Sequence, residues 1–343
     1  MVSSLKYDAW LAWIERMARN SGRDHSAAEF PASKFYCCLE QQPDHLVPER
    51  YLRAVGEYAS ALSLFVNSTC IVTENGALPD GVSPTGLLDN FALQGKILWI
   101  SDAAHGLQPF WLGPESSRWL AGLRAGQPAP LELPPRLKQV LRMAGVLQKS
   151  DRDAKQHWAA ALERCRPMFQ QKGYTPISGL IHPFHVAALR RYYRHLIRKQ
   201  KLPLGDSQSP RRYVAHNESI ARFFHHQLTV AVSAIAGEPV KPSYVYLASY
   251  QAGADLERHT DREQCEFSIT FCLDYSPEPE NHTPWPICLH PPSGTVEVFQ
   301  AIGDGLLYRG CQVPHSRARL PQGHTSTSIF FHYVRETFAG TLD

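Results

Sequence analysis

The chain has 343 residues, of which 43% are hydrophobic and 20% are charged, and its formal net charge at neutral pH is +3. This length favours about two domains and gives a core large enough to fold without disulfide or metal staples. The composition excludes collagen-like, coiled-coil and wholly disordered chains, and a charge so close to neutral argues against nucleic acid as the partner.

Residues 1–175 are predicted to form a mainly helical N-terminal region. Its first helix is expected around 7–14, where Tyr7, Trp10 and Ile14 share one apolar face. The pattern over 111–147 predicts two helices with a short break and an apolar end. This fits either a small winged-helix-like module or an ordinary helix pair. The further predicted helices of this region are 51–65, 115–123, 134–145 and 151–165.

Residues 176–343 are predicted to hold supporting helices and then a run of strands. The helices are expected over 182–201 and 217–236, with Asn217 as the N-cap of the second. The first has a dense basic side between Arg190 and Lys201. That side fits either an anionic partner or a solvent-exposed helix face, and we favour the exposed face.

The hydrophobic period changes from about 3.6 to about 2 at Pro239. Short strand-like runs separated by Gly and Pro turns follow, a pattern typical of a jelly-roll sandwich or barrel. The expected fold class is α+β, a helical N-terminal region followed by a jelly-roll or cupin-like barrel with supporting helices. The predicted strands are 244–250, 256–261, 266–273, 285–289, 296–300, 305–309, 313–317 and 325–334.

The barrel contains residues with metal-ligand spacing. His259 and Asp261 are two apart on a predicted strand, so their side chains face the same way, and His315 lies on a later strand. Two histidines and one carboxylate form the facial triad that holds Fe(II) in non-heme oxygenases and leaves positions open for other ligands. We therefore predict that His259, Asp261 and His315 are the metal ligands and the catalytic centre. The alternative is a cupin-like barrel that holds another metal or none.

Three short motifs accompany these ligands, namely Tyr250-Gln-Ala-Gly, Gly303-Asp-Gly and Pro314-His. With them, the sequence over about 239–335 resembles the Fe(II)/2-oxoglutarate-dependent dioxygenases, in particular the prolyl-4-hydroxylase-like branch. The resemblance implies a double-stranded β-helix and a metal-binding oxidoreductase that uses Fe(II), 2-oxoglutarate and O2. It also places Tyr250 beside a carboxylate of 2-oxoglutarate.

One feature of that family is missing from this sequence. The family usually has Arg or Lys a short distance after the second histidine, where it binds the far carboxylate of 2-oxoglutarate, but 323–328 contains neither. Arg317 shares the inward face of His315 and is our candidate for that carboxylate. Arg319 and Arg309 are the alternatives. The full set of predicted co-substrate contacts is Tyr250, Arg317, Ser326 and Ser328.

The start of the chain and the cysteines indicate the compartment. The first residues are amphipathic with scattered charges, unlike a signal peptide, and the longest charge-free run near the start, 58–73, is too polar and too short for a membrane span. None of the eight cysteines forms a CxxC pair, which argues against a zinc ribbon or thioredoxin-type site. We expect a cytoplasmic protein with reduced thiols and no membrane partner.

The resemblance implies a hydroxylase that oxidises an unactivated C–H bond and releases succinate and CO2. The long N-terminal region favours an amino-acid, peptide or carrier-bound substrate over a free metabolite. Alternatively, its helices brace the barrel and form a homodimer. Two other hypotheses are a nucleic-acid or small-metabolite oxygenase of the same fold, and a non-enzymatic metal-binding barrel that serves as an interaction module.

Overall fold

The computed structural model describes residues 30–41, 64–80, 82, 86–102, 106–149 and 151–343. The helix predicted around 7–14 and nearly all of the helix predicted over 51–65 lie outside these residues. The end of the latter is not helical, because Phe65–Val66 forms a short strand, β1. Within the described ranges, no helix is long and apolar enough to cross a membrane.

The N-terminal region contains strands that the sequence pattern did not predict. They are β2 (Ile71–Glu74), β3 (Lys96–Asp102), β4 (Gly106–Leu112) and β5 (Leu147–Gln148). Strands β2, β3 and β4 form an antiparallel sheet, and β1 pairs with β5. A mainly helical region is therefore not confirmed. Residues 97–100 of β3 are buried on both faces, and a continuous apolar run cannot be told from a buried helix by its period.

Three helices of the region lie where the sequence predicts them, with different ends. They are α1 (Pro114–Ser117), α2 (Pro135–Met143) and α3 (Asp151–Lys172). Helix α3 continues beyond the predicted end at 165. It contains Pro167, a residue that helix interiors tolerate poorly. The winged-helix-like module over 111–147 and the division into 1–175 and 176–343 stay predictions.

The second supporting helix differs from the prediction in two respects. The observed helices are α4 (Pro183–Arg198), α5 (Ser219–Gln227) and α6 (Thr229–Ala236). The helix predicted over 217–236 is thus two helices, and its predicted cap is wrong. Glu218 caps α5, because its carboxylate accepts from backbone N–H groups of the first turn. Asn217 has a left-handed φ of 49°, and its Oδ1 accepts instead from the backbone N–H of Val245 on the neighbouring strand.

Two arginines on the basic side of α4 form ion pairs within the protein. Arg190 is fully buried and forms ion pairs with Asp274 at 2.9 Å and Glu278 at 2.5 Å. Arg194 pairs with the same Asp274 at 2.5 Å. These two arginines are therefore engaged by carboxylates of the chain itself and are not available to an anionic partner.

Every strand predicted after Pro239 is present, with shifted ends. These strands are β8 (Val240–Tyr250), β9 (Leu256–His259), β10 (Phe267–Ser276), β11 (Ile287–Leu289), β12 (Val296–Val298), β13 (Gly305–Tyr308), β14 (His315–Arg317) and β15 (Thr325–Arg335). Two strands before Pro239, β6 (Tyr174–Ile177) and β7 (Arg212–His216), were not predicted. One sheet has the order β6-β13-β10-β15-β8-β7 and the other β12-β11-β14-β9. From β8 to β15 the chain passes repeatedly between the sheets, which is the topology of a double-stranded β-helix, or jelly roll.

The two sheets enclose an interior that holds most of the predicted site. Helix α4 packs against β10, and α5 and α6 pack against β8, so they cover the outer face of the larger sheet. Its inner face meets the smaller sheet, where the Tyr250 ring contacts the Trp285 ring at 5.2 Å between centroids. Side chains of alternate residues on these strands therefore point into the barrel.

Candidate metal centre

The three predicted metal ligands, hereafter the triad, meet where β9 and β14 pair. His259 lies opposite His315 in the register of these strands, and Asp261 comes just after β9. Asp261 Oδ1 lies 3.7 Å from His259 Nε2 and 3.5 Å from His315 Nε2. Two ligands at right angles on a metal at about 2.1 Å are about 3 Å apart, so a small closure would bring this set onto one ion.

Backbone hydrogen bonds aim both imidazoles at this point. His259 Nδ1 donates to the carbonyl of Glu257 at 2.8 Å. His315 Nδ1 donates to the carbonyl of Val313 at 3.1 Å. Because Nδ1 carries the proton in each ring, Nε2 keeps its lone pair for a metal. Burial lowers the pKa of His315 although Asp261 opposes this, so the ring is neutral at physiological pH.

Asp261 is held by side chains that no motif marks. Ser268 on β10 donates to Asp261 Oδ2 at 2.8 Å, which leaves Oδ1 facing the two histidines. His332 on β15 bonds to Ser268 Oγ at 2.9 Å through Nδ1. Since the serine proton is given to Asp261, His332 is the donor in that second bond. Burial lowers the pKa of His332 to about 4, so it takes this role as a neutral ring.

Gly310 allows Asp261 to reach its position. The Gly310 carbonyl accepts from the backbone N–H of Asp261 at 3.0 Å. A Cβ at Gly310 would lie 2.6 Å from Ser268 Oγ and closer still to Asp261 Oδ2. Since any side chain there would displace the carboxylate or its partner, a glycine is required at this position.

A second group of ligand-type atoms shares the carboxylate and fits a metal less well. It consists of Asp261, Cys265 and His332. Cys265 Sγ is hydrogen-bonded to the Tyr244 hydroxyl at 3.1 Å, and His332 is engaged with Ser268. Burial raises the pKa of Cys265 to about 12, which disfavours the thiolate form that binds metals. The triad offers two neutral imidazoles and a carboxylate, the donor set of non-heme Fe(II) centres.

Arg317 lies in the barrel interior on the same strand and face as His315. Only 5% of its surface is exposed. Its Nη1 donates to the Trp285 carbonyl at 3.0 Å, and its guanidinium lies 4.5 Å over the Trp285 ring. Its Nε has no hydrogen-bond partner. Burial lowers the pKa of Arg317, but arginine stays charged in proteins. No carboxylate of the described residues pairs with it, so this buried charge lacks a counter-ion.

Tyr250 and Ser328 add hydroxyl donors near the same place. Tyr250 is fully buried, and its hydroxyl accepts from Arg212 Nη1 at 3.0 Å. Among the described residues, nothing accepts the proton of Tyr250. Ser328 Oγ is buried without a partner, and Ser326 is buried on the same inward face. Trp285, which lies under the arginine, also contacts Tyr250. The predicted co-substrate residues are thus brought to one part of the interior.

The two alternative arginines lie elsewhere. Arg319 is exposed, and Arg309 lies over two phenylalanine rings at the edge of the barrel. The structure places another guanidinium beside Tyr250, that of Arg212 on β7, which pairs with Asp206 at 2.6 Å. Its strand was not predicted, and only the pairing of β7 with β8 brings it to the interior. Arg317 is therefore the arginine that combines burial, an inward face and the absence of a carboxylate partner.

A surface cavity of about 420 Å³ adjoins the triad at Asp261. Glu266 and Arg335 in its wall form an ion pair at 3.0 Å. Arg309 and Glu263 also line it, and within the described part of the chain neither has an ion-pair partner. Of the triad, Asp261 lines this cavity and the two histidines do not. The cavity thus places the Arg309 guanidinium and the Glu263 carboxylate near Asp261.

Several solved structures are similar to this chain at low identity. The non-heme alpha-ketoglutarate-dependent epimerase SnoN from nogalamycin biosynthesis is 17% identical with a TM-score of 0.44, covering 52% of this chain and 84% of its own. A Pseudomonas putida prolyl-4-hydroxylase is 17% identical with a TM-score of 0.42, and the match covers 51% of this chain and 99% of the hydroxylase. HygX from Streptomyces hygroscopicus, with nickel, 2-oxoglutarate and hygromycin B bound, is 14% identical with a TM-score of 0.40. The match covers 50% of this chain and 86% of HygX.

At these identities and TM-scores, the similarity assigns no activity and no residue role to this chain. No protein-family model matches the sequence, and no curated protein matches it either. The chemistry of the site therefore has to be inferred from its own residues.

Proposed function

We propose that this protein is an Fe(II)/2-oxoglutarate-dependent dioxygenase. The observation that carries the proposal is Arg317, a buried guanidinium without a counter-ion on the same strand and face as His315. The triad is suited to a metal, and Arg317, two residues along the same strand from His315, is suited to an anion. A dicarboxylic 2-oxoacid satisfies both, because its oxoacid end can chelate the metal while its far carboxylate pairs with the guanidinium.

The spacing along β14 supports such a ligand. Residues two apart on a strand are separated by about 6.6 Å, which is close to the length of a five-carbon dicarboxylate. Tyr250 and Ser328 lie at the Arg317 end, where they would donate to the same carboxylate. In this proposal Arg317 takes the place of the basic residue that is absent from 323–328.

The residues of the chain then have three tasks. The triad holds the ion, which when bound would supply the oxidative chemistry with O2 and convert 2-oxoglutarate into succinate and CO2. Arg317 and Tyr250 orient the co-substrate through charge and hydrogen bonding. Trp285 and the other buried rings of the interior keep bulk water away from the reacting groups.

We further propose that the substrate is an amino-acid or peptidyl side chain, hydroxylated at an unactivated C–H bond. The support is the cavity beside Asp261, since the unpaired Arg309 and Glu263 suit the carboxylate and ammonium groups of an amino acid or a peptide segment. A carrier-bound amino acid falls in the same chemical class. A reducing cytoplasm is the proposed compartment, because no disulfide joins any of the cysteines.

Turnover of 2-oxoglutarate tests the proposal. With Fe(II), ascorbate and O2, the purified chain is expected to form succinate slowly on its own, and faster with an amino-acid or peptide substrate, as followed by NMR. Asp261→Ala is expected to abolish succinate formation because the metal loses its carboxylate ligand. The exposed Asp255→Ala variant is the matched control and should keep it. Succinate no higher than in Asp261→Ala, with Fe(II) bound, would contradict the proposal.

A further inference from the structure

The phenol hydroxyl of Tyr308 lies beside the triad and has no part in the proposed function. It is the last residue of β13, and 1% of its surface is exposed. Its hydroxyl lies 3.4 Å from His315 Nε2, and its ring meets the imidazole edge-on at 4.8 Å between centroids. Thr270 donates to the same hydroxyl at 3.4 Å.

Metal binding would remove the acceptor of this proton. His315 Nδ1 carries the ring hydrogen, since it donates to a backbone carbonyl, so Nε2 is the acceptor that faces Tyr308 in the metal-free protein. A metal at the triad uses that same lone pair. The Thr270 hydroxyl gives its own proton to Tyr308. A buried O–H group without an acceptor is costly, so Tyr308 needs a new acceptor beside the metal.

We infer that Tyr308 donates this hydrogen bond to the oxoacid end of the co-substrate, next to His315. The inference rests on the proposed function and adds to it a second contact between the chain and the co-substrate. Arg317 recognises the far carboxylate, whereas Tyr308 recognises the end that chelates the metal. Tyr308 would thus be a positioning residue for the oxoacid end of the co-substrate.

Two oxoacids separate the roles of Tyr308 and Arg317. Fe(II)-loaded protein is titrated without O2 with 2-oxoglutarate and, separately, with pyruvate, which has the oxoacid end but no far carboxylate. The readout is the visible charge-transfer band of the chelate. Tyr308→Phe is expected to weaken both ligands about tenfold to a hundredfold, the range for a hydrogen bond to a charged acceptor. Arg317→Ala is expected to weaken 2-oxoglutarate and leave pyruvate unchanged.

Controls separate the outcomes. Tyr333→Phe removes a buried hydroxyl that donates to the His225 carbonyl, away from the triad, and should leave both titrations unchanged. Tyr308→Phe should bind Fe(II) alone as the natural chain does. If Tyr308→Phe binds both oxoacids normally, or if it weakens Fe(II) binding instead, the inference is overturned and the proposed function stands. If the natural chain binds Fe(II) and gives no band with either oxoacid, the proposed function fails and the inference fails with it.

Discussion

Asp261 differs from the two histidines of the triad in how it is oriented. Each histidine is aimed by a carbonyl of its own local segment, Glu257 for one and Val313 for the other. Asp261 depends instead on Ser268, a side chain from β10. The carboxylate is therefore correctly placed only after the larger sheet has assembled, so it is the ligand most sensitive to residues outside the motif.

Ser268→Ala is expected to weaken metal binding about tenfold to a hundredfold, the usual cost of losing a partner that orients a ligand. Without the serine hydroxyl, Asp261 Oδ2 is no longer held and the carboxylate can turn away from the histidines. Titration with Mn(II) or Fe(II) in the absence of co-substrate measures the effect. Ser249→Ala, a buried serine paired with Thr327, is the control. Equal metal affinity in Ser268→Ala and the natural chain would show that the hydroxyl does not orient the ligand.

At the scale of elements, the barrel could be predicted and the N-terminal sheet could not. Strand β11 alternates in burial. Turns rich in Gly and Pro separate the short runs of the barrel, so its strands are visible in the sequence. Strand β3 is buried on both faces and has no alternation to detect. The triad was predictable because His259 and Asp261 are two residues apart and His315 lies on a later strand-like run.

The partners of the site residues depend on pairings between distant strands. Ser268 faces His332 in the register of β10 with β15, and Arg212 faces Tyr250 in the register of β7 with β8. Neither pairing is encoded by local spacing, because register is set by the assembled sheet. The side chains that support the ligands therefore emerge only from the structure, whereas the ligands themselves are visible in the sequence.

At the scale of the whole molecule, the described N-terminal residues pack behind the barrel. Phe35 contacts Trp111 at 6.1 Å, Tyr192 at 6.2 Å and Phe224 at 5.9 Å between ring centroids. Tyr192 and Phe224 belong to α4 and α5, which cover the outer face of the larger sheet. This part of the N-terminal region thus packs on the helices that cover the barrel, on the side opposite its interior. Bracing of the barrel by N-terminal helices, together with a homodimer, stays a prediction.

Buried histidines make the stability of this assembly depend on pH. Burial lowers the pKa of His225 from 6.5 to about 3, and its Nε2 donates to the His332 carbonyl at 2.7 Å. A base whose pKa is lower in the folded chain binds fewer protons there than in the unfolded chain, so stability is lost as the pH falls from about 6.5 to about 3. Burial lowers the pKa of His332 to about 4, so this residue also makes the folded chain less stable as the pH falls.

His225→Gln should therefore flatten the pH dependence of unfolding. One proton is worth about 1.4 kcal/mol per pH unit, so His225 contributes about 2 kcal/mol to the loss between pH 6.5 and pH 5. Denaturant unfolding of the natural chain and the variant at several pH values measures the two slopes, with the exposed His282→Gln as control. If the slopes of His225→Gln and the natural chain agree, His225 does not set the pH dependence.

The most direct test of the central claim asks whether the triad and Arg317 form one site. Fe(II)-loaded protein is titrated with 2-oxoglutarate without O2, and the visible charge-transfer band of the chelate is followed. The account predicts a saturable band that is absent in His259→Ala and needs about tenfold or more 2-oxoglutarate in Arg317→Ala, while Arg319→Ala matches the natural chain. Bound Fe(II) without a band, or equal saturation in Arg317→Ala, would contradict it.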